Sequence, residues 1–231
     1  MKNKIGLLLS HIHVRQNEMY KFDMLEQVVR NFRSFDKEFF IVVSGHGCEI
    51  PHSIKKDIQQ IYWETSIDDN EIGRGHPKFC IEGYKILLQN NIHMSVKLRA
   101  CDIIGNEELL YKLLEQDSLI LTEQTCFQKR MIGDLLMLGN TQRMFDLWTK
   151  HPWDYGKSGL YNLFDNAERL ANKGGNSIQE YLKSNAHFVK PGEIKWYTLE
   201  TNWNNKEKCT NEAFSDKHLW GAGRYSYYGG F

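Results

Sequence analysis

The chain has 231 residues, 29 Lys and Arg against 29 Asp and Glu, and 41% apolar residues. That length supports a full hydrophobic core, and the even charge balance argues against a protein held to nucleic acid by phosphate neutralisation. No run of 18 apolar residues occurs, so no membrane span is expected.

Residues 4–10 form an apolar run of strand length. After Met1-Lys2-Asn3-Lys4 the apolar stretch is too short for a secretion signal and reads as a buried first strand. Met24, Leu25, Val28, Val29 and Phe32 recur at helical spacing, with Asp23 favouring the positive end of that helix. Residues 38–43 are β-branched and aromatic, a second strand that stops at Ser44-Gly45-His46-Gly47. Ile50-Pro51 marks a turn, and residues 58–63 a third, shorter strand.

Residues 68–77 read as a polar, glycine-bearing loop and 79–89 as a helix. Residues 94–100 alternate like a strand that delivers Cys101-Asp102 at its end. Asn106 is placed to cap a helix whose first turn holds Glu107 and Glu108 and whose buried face holds Leu109, Leu110, Leu113 and Leu114. Residues 118–126 suit another strand. Asn140 or Thr141 can begin a helix with Met144, Phe145 and Trp148 on one face, and Ser177 with Glu180 spells a capping box. The last forty residues are rich in aromatics and poor in aliphatics, as expected of a segment wrapping over a domain.

The five cysteines (Cys48, Cys80, Cys101, Cys126 and Cys209) are odd in number, widely spaced and without a C-x-x-C pair. They read as small buried hydrophobes in a reducing compartment, which makes the cytoplasm the expected address.

For chemistry, an acidic residue at a strand end stands where open α/β sheets bind ligands. Asp102 there can hold a hard divalent cation or simply cap its own turn. Lys97 and Arg99, two apart, share one strand face and can meet phosphates or carboxylates. Ser10, His11 and Arg15 after the first strand, and Ser44-Gly45-His46 after the second, suit a base or ribose; glycine there allows close backbone approach or merely ends the strand. Arg74 and Lys78 lie in a glycine-rich stretch before a helix, suited to phosphate but lacking the Walker spacing. Asp68-Asp69 is a second carboxylate pair in a polar loop. His187 and His218 are further possible ligands, and Trp153, Tyr155, Trp196 and Trp203 can stack on sugars or pack in the core.

The landmarks are residues 4–10, 41–46 followed by Ile50-Pro51, Gly75-His76-Pro77, 97–102, and 134–141 with Met144 and Trp148. In order and spacing they resemble small GT-A glycosyltransferases, particularly WavE-type lipopolysaccharide-synthesis proteins and the small domain of chlorovirus capsid glycosyltransferases. The resemblance implies an α/β fold: one GT-A-like (Rossmann-like) domain over residues 1–190, with a central mixed sheet flanked by helices. An irregular aromatic extension, residues 191–231, would pack on it. It implies transfer of a sugar from a UDP- or GDP-linked donor to a hydroxyl of a glycan acceptor, assisted by Mn²⁺ or Mg²⁺. Where the family carries D-x-D this chain has Ala100-Cys101-Asp102, so Asp102 is the implied metal ligand and the first carboxylate is missing. Cys101 reads as filler, since those metals prefer oxygen. The resemblance sets Asp134 in the acceptor neighbourhood; if the transfer inverts, Asp134 is the expected general base, with Glu123 second and Asp146 third. The other classes considered are an S-adenosylmethionine-dependent methyltransferase, disfavoured by the lack of a glycine-rich turn after strand one, and a non-catalytic carbohydrate-binding protein.

Overall fold

The computed structural model describes residues 4–65, 75–105, 107–116, 119–126, 129–150, 186–189 and 196–198. Strand β1 (Ile5–Val14) runs parallel between β2 (Phe39–Gly47) and β4 (Met94–Leu98), with β3 (Gln60–Glu64) parallel beyond β2. On the other side of β4 lies β7 (Lys129–Asn140), antiparallel to it and to β6 (Leu119–Cys126); β8 (Ala186–Val189) is parallel to β6. The sheet order is β3-β2-β1-β4-β7-β6-β8. This is the mixed, mostly parallel α/β sheet expected.

Helices cover both faces because the central strands are apolar on both sides, as buried parallel strands must be. On one face Leu7, Leu9, Ile41, Val43, Val96 and Leu98 meet α1 (Tyr20–Arg33) and α4 (Glu107–Leu114). Met24, Leu25, Val28, Val29 and Phe32 of α1 are all buried, as their spacing predicts. On the opposite face Leu8, Val42 and Met137 meet Cys80, Tyr84 and Leu87 of α3 (Gly75–Gln89) and Met144, Leu147 and Trp148 of α5 (Thr141–Lys150). Each fully buried side chain of this size contributes roughly 1.5–3 kcal/mol. The Asn140 side chain accepts from the Arg143 N–H at 3.1 Å and caps α5, while Thr141 Oγ1 bonds Ser95 Oγ of β4 at 3.1 Å.

Several boundaries differ from the sequence reading. β3 lies about two residues later than expected. α3 begins at Gly75, inside the stretch expected to be a loop; Pro77 is tolerated because first-turn N–H groups have no intrahelical partner. Residues 129–140, to which the sequence reading assigned no element, form the long strand β7. Asp102 does not end a strand: β4 stops at Leu98, and Asp102 opens β5 (Asp102–Ile104). That strand pairs antiparallel with β9 (Trp196–Thr198), so the expected irregular extension contributes a regular strand there. Asn31 of α1 closes the outer side of β5, accepting from the Ile104 N–H at 3.2 Å and donating to its carbonyl at 3.4 Å.

The largest correction concerns β1 and β2. Both run on past the expected stops, because after an irregularity between Leu9 and Ile12 the pairing resumes as Ile12↔Gly45, His13↔His46 and Val14↔Gly47. Ser10 and His11 therefore lie within β1, and Ser44, Gly45 and His46 within β2. A Cβ on Gly45 would stand 2.2 Å from the Ile12 carbonyl oxygen; Gly47, at φ +110°, would set one 2.1 Å from the Val14 carbonyl oxygen. Gly45 makes room for a neighbouring strand, where the sequence suggested room for a ligand.

Candidate functional site

The sheet order has a switch point. From β1 the chain builds outward through β2 and β3, then returns to place β4 on the other side of β1. Open α/β sheets bind ligands beyond the carboxyl ends of the strands that flank such a point. Here β1 and β4 pair from Ile5↔Met94 to Leu9↔Leu98 and then part. β1 continues alongside β2, while the chain after β4 turns through Arg99, Ala100 and Cys101 into Asp102.

That turn is held by a fork. Arg99 donates through Nε to Asp102 Oδ2 at 2.9 Å and through Nη2 to Oδ1 at 2.8 Å. The Cys101 thiol lies 3.6 Å from the same Oδ1. The Asp102 side chain is 0% exposed and that of Arg99 15%. Lys97 and Arg99 do not share a face as expected, because β4 ends between them. Lys97 is buried, with its ammonium 5.5 Å from the Trp148 ring centre, whereas Arg99 turns onto Asp102.

This arrangement does not fit a divalent metal on Asp102. Both carboxylate oxygens already accept from a guanidinium, and the neighbouring Ala100 and Cys101 supply no second carboxylate. Among the described residues no group of three or more His, Cys, Asp or Glu side chains is gathered as a metal would need.

The β1–β2 side of the mouth carries a stack of rings. His46 is sandwiched between His13 (ring centres 4.5 Å apart, planes 22°) and Phe79 of α3 (5.1 Å, 5°). Burial pushes the His46 imidazole down to about 4; charge on His13 adds to this and Glu64 opposes it. It is therefore uncharged at neutral pH. Its Nε2 and the Ser44 hydroxyl are buried without a hydrogen-bond partner among the described residues. Ser10 is buried, with the Cys80 thiol 3.4 Å from its hydroxyl. Arg15 is exposed just after β1. The expected phosphate ligand Lys78, on the first turns of α3, is ion-paired with Glu64 at 2.5 Å, and the Tyr62 hydroxyl donates to the same carboxylate at 2.7 Å. Tyr62 is pushed up to about 12 by burial and by Glu64.

Because β7 is antiparallel to β4, with Lys97↔Met137, residues of β7 that precede Met137 lie toward the carboxyl end of β4. There the β6–β7 pairing jumps from Leu121↔Met137 to Thr122↔Gly133. Asp134, Leu135 and Leu136 thus form a bulge, a device that re-aims side chains and is common beside active sites. Glu123 pairs with Ile132, one step beyond. The sequence offered no sign of this bulge, since the apolar run over 135–138 reads equally well as uninterrupted strand. Asp146, the third candidate, is half-buried on α5 and accepts from Gln142 at 2.9 Å. His187 and Trp196 fall in β8 and β9. Arg74, Asp68, Asp69, Trp153, Tyr155, Trp203 and His218, with the capping pair Ser177 and Glu180, lie outside the described residues.

No family model matches the chain, and no curated protein matches it. Solved structures similar to it include a protein of Desulfovibrio desulfuricans G20 with a provisional assignment as a nucleotide-diphospho-sugar transferase. The two share 11% identity over 82% of this chain and 80% of that one, at a TM-score of 0.47. A glycosyltransferase involved in glycosylating the major capsid of PBCV-1 is similar at 6% identity over 81% and 82%, TM-score 0.46. A 4-diphosphocytidyl-2C-methyl-D-erythritol synthase is similar at 12% identity over 91% and 94%, TM-score 0.47. Among the described residues no helix is long and apolar enough to cross a membrane.

Proposed function

We propose that the chain is a glycosyltransferase that takes a sugar from a UDP- or GDP-linked donor and passes it to a hydroxyl of a glycan. The observation that carries this reading is the mouth between β1 and β4, which part after Leu9 and Leu98 with the Arg99 guanidinium at the turn. A crevice beyond the carboxyl ends of parallel strands at a switch point suits a nucleotide-bearing ligand. The stacked column of His13, His46 and Phe79 supports a base or ribose on the β1–β2 side, with Ser10, His11 and Arg15 nearby in sequence.

Asp134 in its bulge is the general base of an inverting transfer, and Glu123 is the alternative. The acceptor oxygen attacks the anomeric carbon as the carbon–oxygen bond to the diphosphate breaks. The hydroxyl proton passes to the Asp134 carboxylate and the nucleoside diphosphate leaves as an anion. Such proton transfer is typically worth ~10²–10⁴ in rate.

A thermal-shift screen of the full chain tests the donor reading, because a ligand bound to the native state raises apparent stability. UDP or GDP should raise the melting temperature. S-adenosylhomocysteine raising it instead would make the protein a methyltransferase, and a response to glycans only would make it a binding protein. Asp134→Asn should lower turnover by about 10² or more with little change in donor affinity. Unchanged turnover moves the role to Glu123, and a product of retained configuration removes the base from the mechanism.

A further inference from the structure

We propose that the stacked rings of His13, His46 and Phe79 form an acid-sensitive latch. It fastens the first turns of α3 to the ends of β1 and β2, and it opens when His46 takes up a proton. Packing alone supports it, whether or not a nucleotide binds at the mouth. Each ring comes from a different element, and His46 is the middle one. Its centre lies 4.5 Å from that of His13 and 5.1 Å from that of Phe79. Phe79 is fully buried and His46 is 1% exposed, so the column joins α3 to both strands away from water.

The middle position is hostile to charge. In an imidazolium both ring nitrogens donate, and Nε2 of His46 has no partner among the described residues to accept. The charged groups around it do not compensate. His13 of β1 lies against the ring, and Lys21 of α1 donates to the His13 carbonyl at 2.9 Å; both oppose a positive His46. Glu64 of β3 favours it, but that carboxylate already accepts from Lys78 of α3 and from the Tyr62 hydroxyl. Burial first, then His13, hold the imidazole down to about 4 against the ordinary 6.5. Once the first turns of α3 lift, the ring meets water and regains its ordinary value. Protons therefore favour the open form as pH falls below 6.5, and the gain levels off near pH 4 at about 300-fold. The Glu64–Lys78 pair holds the same turns from β3, so its loss in acid is the competing cause.

Hydrogen exchange of the full chain at pH 7 and pH 5, corrected for intrinsic rates, tests this. Residues 79–82 carry the first amides bonded within α3 and should lose more than about tenfold in protection at pH 5. Dilute urea should hardly change their exchange, because a local opening exposes little surface. His46→Phe keeps a ring between His13 and Phe79 and should abolish the acid response, whereas Glu64→Gln should keep it. No loss of protection in the parent, or an equal loss in His46→Phe, would overturn the proposal. So would a response that disappears in Glu64→Gln, or a urea dependence as steep as that of α1, which marks unfolding of the whole chain. Should His46→Phe fail to fold, the parent decides by NMR. The His46 ring must titrate together with the loss of protection, and titration near pH 6.5 with residues 79–82 still protected overturns the latch.

Discussion

The two sides of the mouth bury polar groups in opposite ways. On the β1–β2 side His46, Ser44 and Ser10 are buried uncharged, and His46 keeps its neutrality because burial opposes its proton. On the β4 side Asp102 is buried as one half of a forked ion pair with Arg99. Both sides stand at the carboxyl ends of adjacent parallel strands, so position in the sheet does not explain the difference. Pairing does: a buried charge persists only where a partner of opposite sign is supplied, and a buried imidazole without one sheds its proton.

The sharpest way to break this contrast is to remove one half of the ion pair. Arg99→Ala leaves Asp102 buried beside an empty fork and should cost about 3–5 kcal/mol in urea denaturation. The double variant Arg99→Met/Asp102→Leu should recover most of that, because replacing both partners removes the uncompensated charge. A double variant as unstable as the single one would show that the loss comes from packing and would dissolve the contrast.

On the other side Gly45→Ala forces a Cβ to within 2.2 Å of the Ile12 carbonyl oxygen. Backbone must move, so a loss of roughly 2 kcal/mol or more is expected in the same assay. The loss should be accompanied by faster hydrogen exchange at residues 12–14 and 45–47. Parental stability would mean that the strand extension is soft.

His46 supplies the third test. Its folded value of about 4 lies below the ordinary 6.5, so the unfolded chain binds this proton first as pH falls. The contribution is fully present above pH 6.5 and is lost progressively toward pH 4, on the order of 3 kcal/mol in all. His46→Phe preserves a ring between His13 and Phe79 and should flatten the stability profile over that window. An unchanged profile would place the acid sensitivity elsewhere. Smallest is Ser44→Ala: deleting a buried hydroxyl without a partner should change stability by less than about 1 kcal/mol, in the stabilising direction. A clear destabilisation would show that the hydroxyl is bonded in solution.

Much of this protein was legible in its sequence. The periodicity of Met24 to Phe32, the capping residues ahead of α5 and the apolar runs of β1, β2 and β6 determined most elements and the α/β class, because each depends on contacts only a few residues apart. The candidate residues around Asp102 were found in the same way, as an acid and two cations beside a strand. Tertiary structure alone decided what those residues do. Whether β1 and β2 stop at Ser10 and Ser44 or run on depends on the register between two strands more than thirty residues apart, and Gly45 fits that register rather than a ligand. The bulge at Asp134 exists only because β6 and β7 pair with unequal lengths of chain. The ion pair between Asp102 and Arg99 is equally non-local. The chain leaves β4 at Leu98 to reach a second sheet with β9, and the turn this requires brings the Arg99 guanidinium onto the carboxylate.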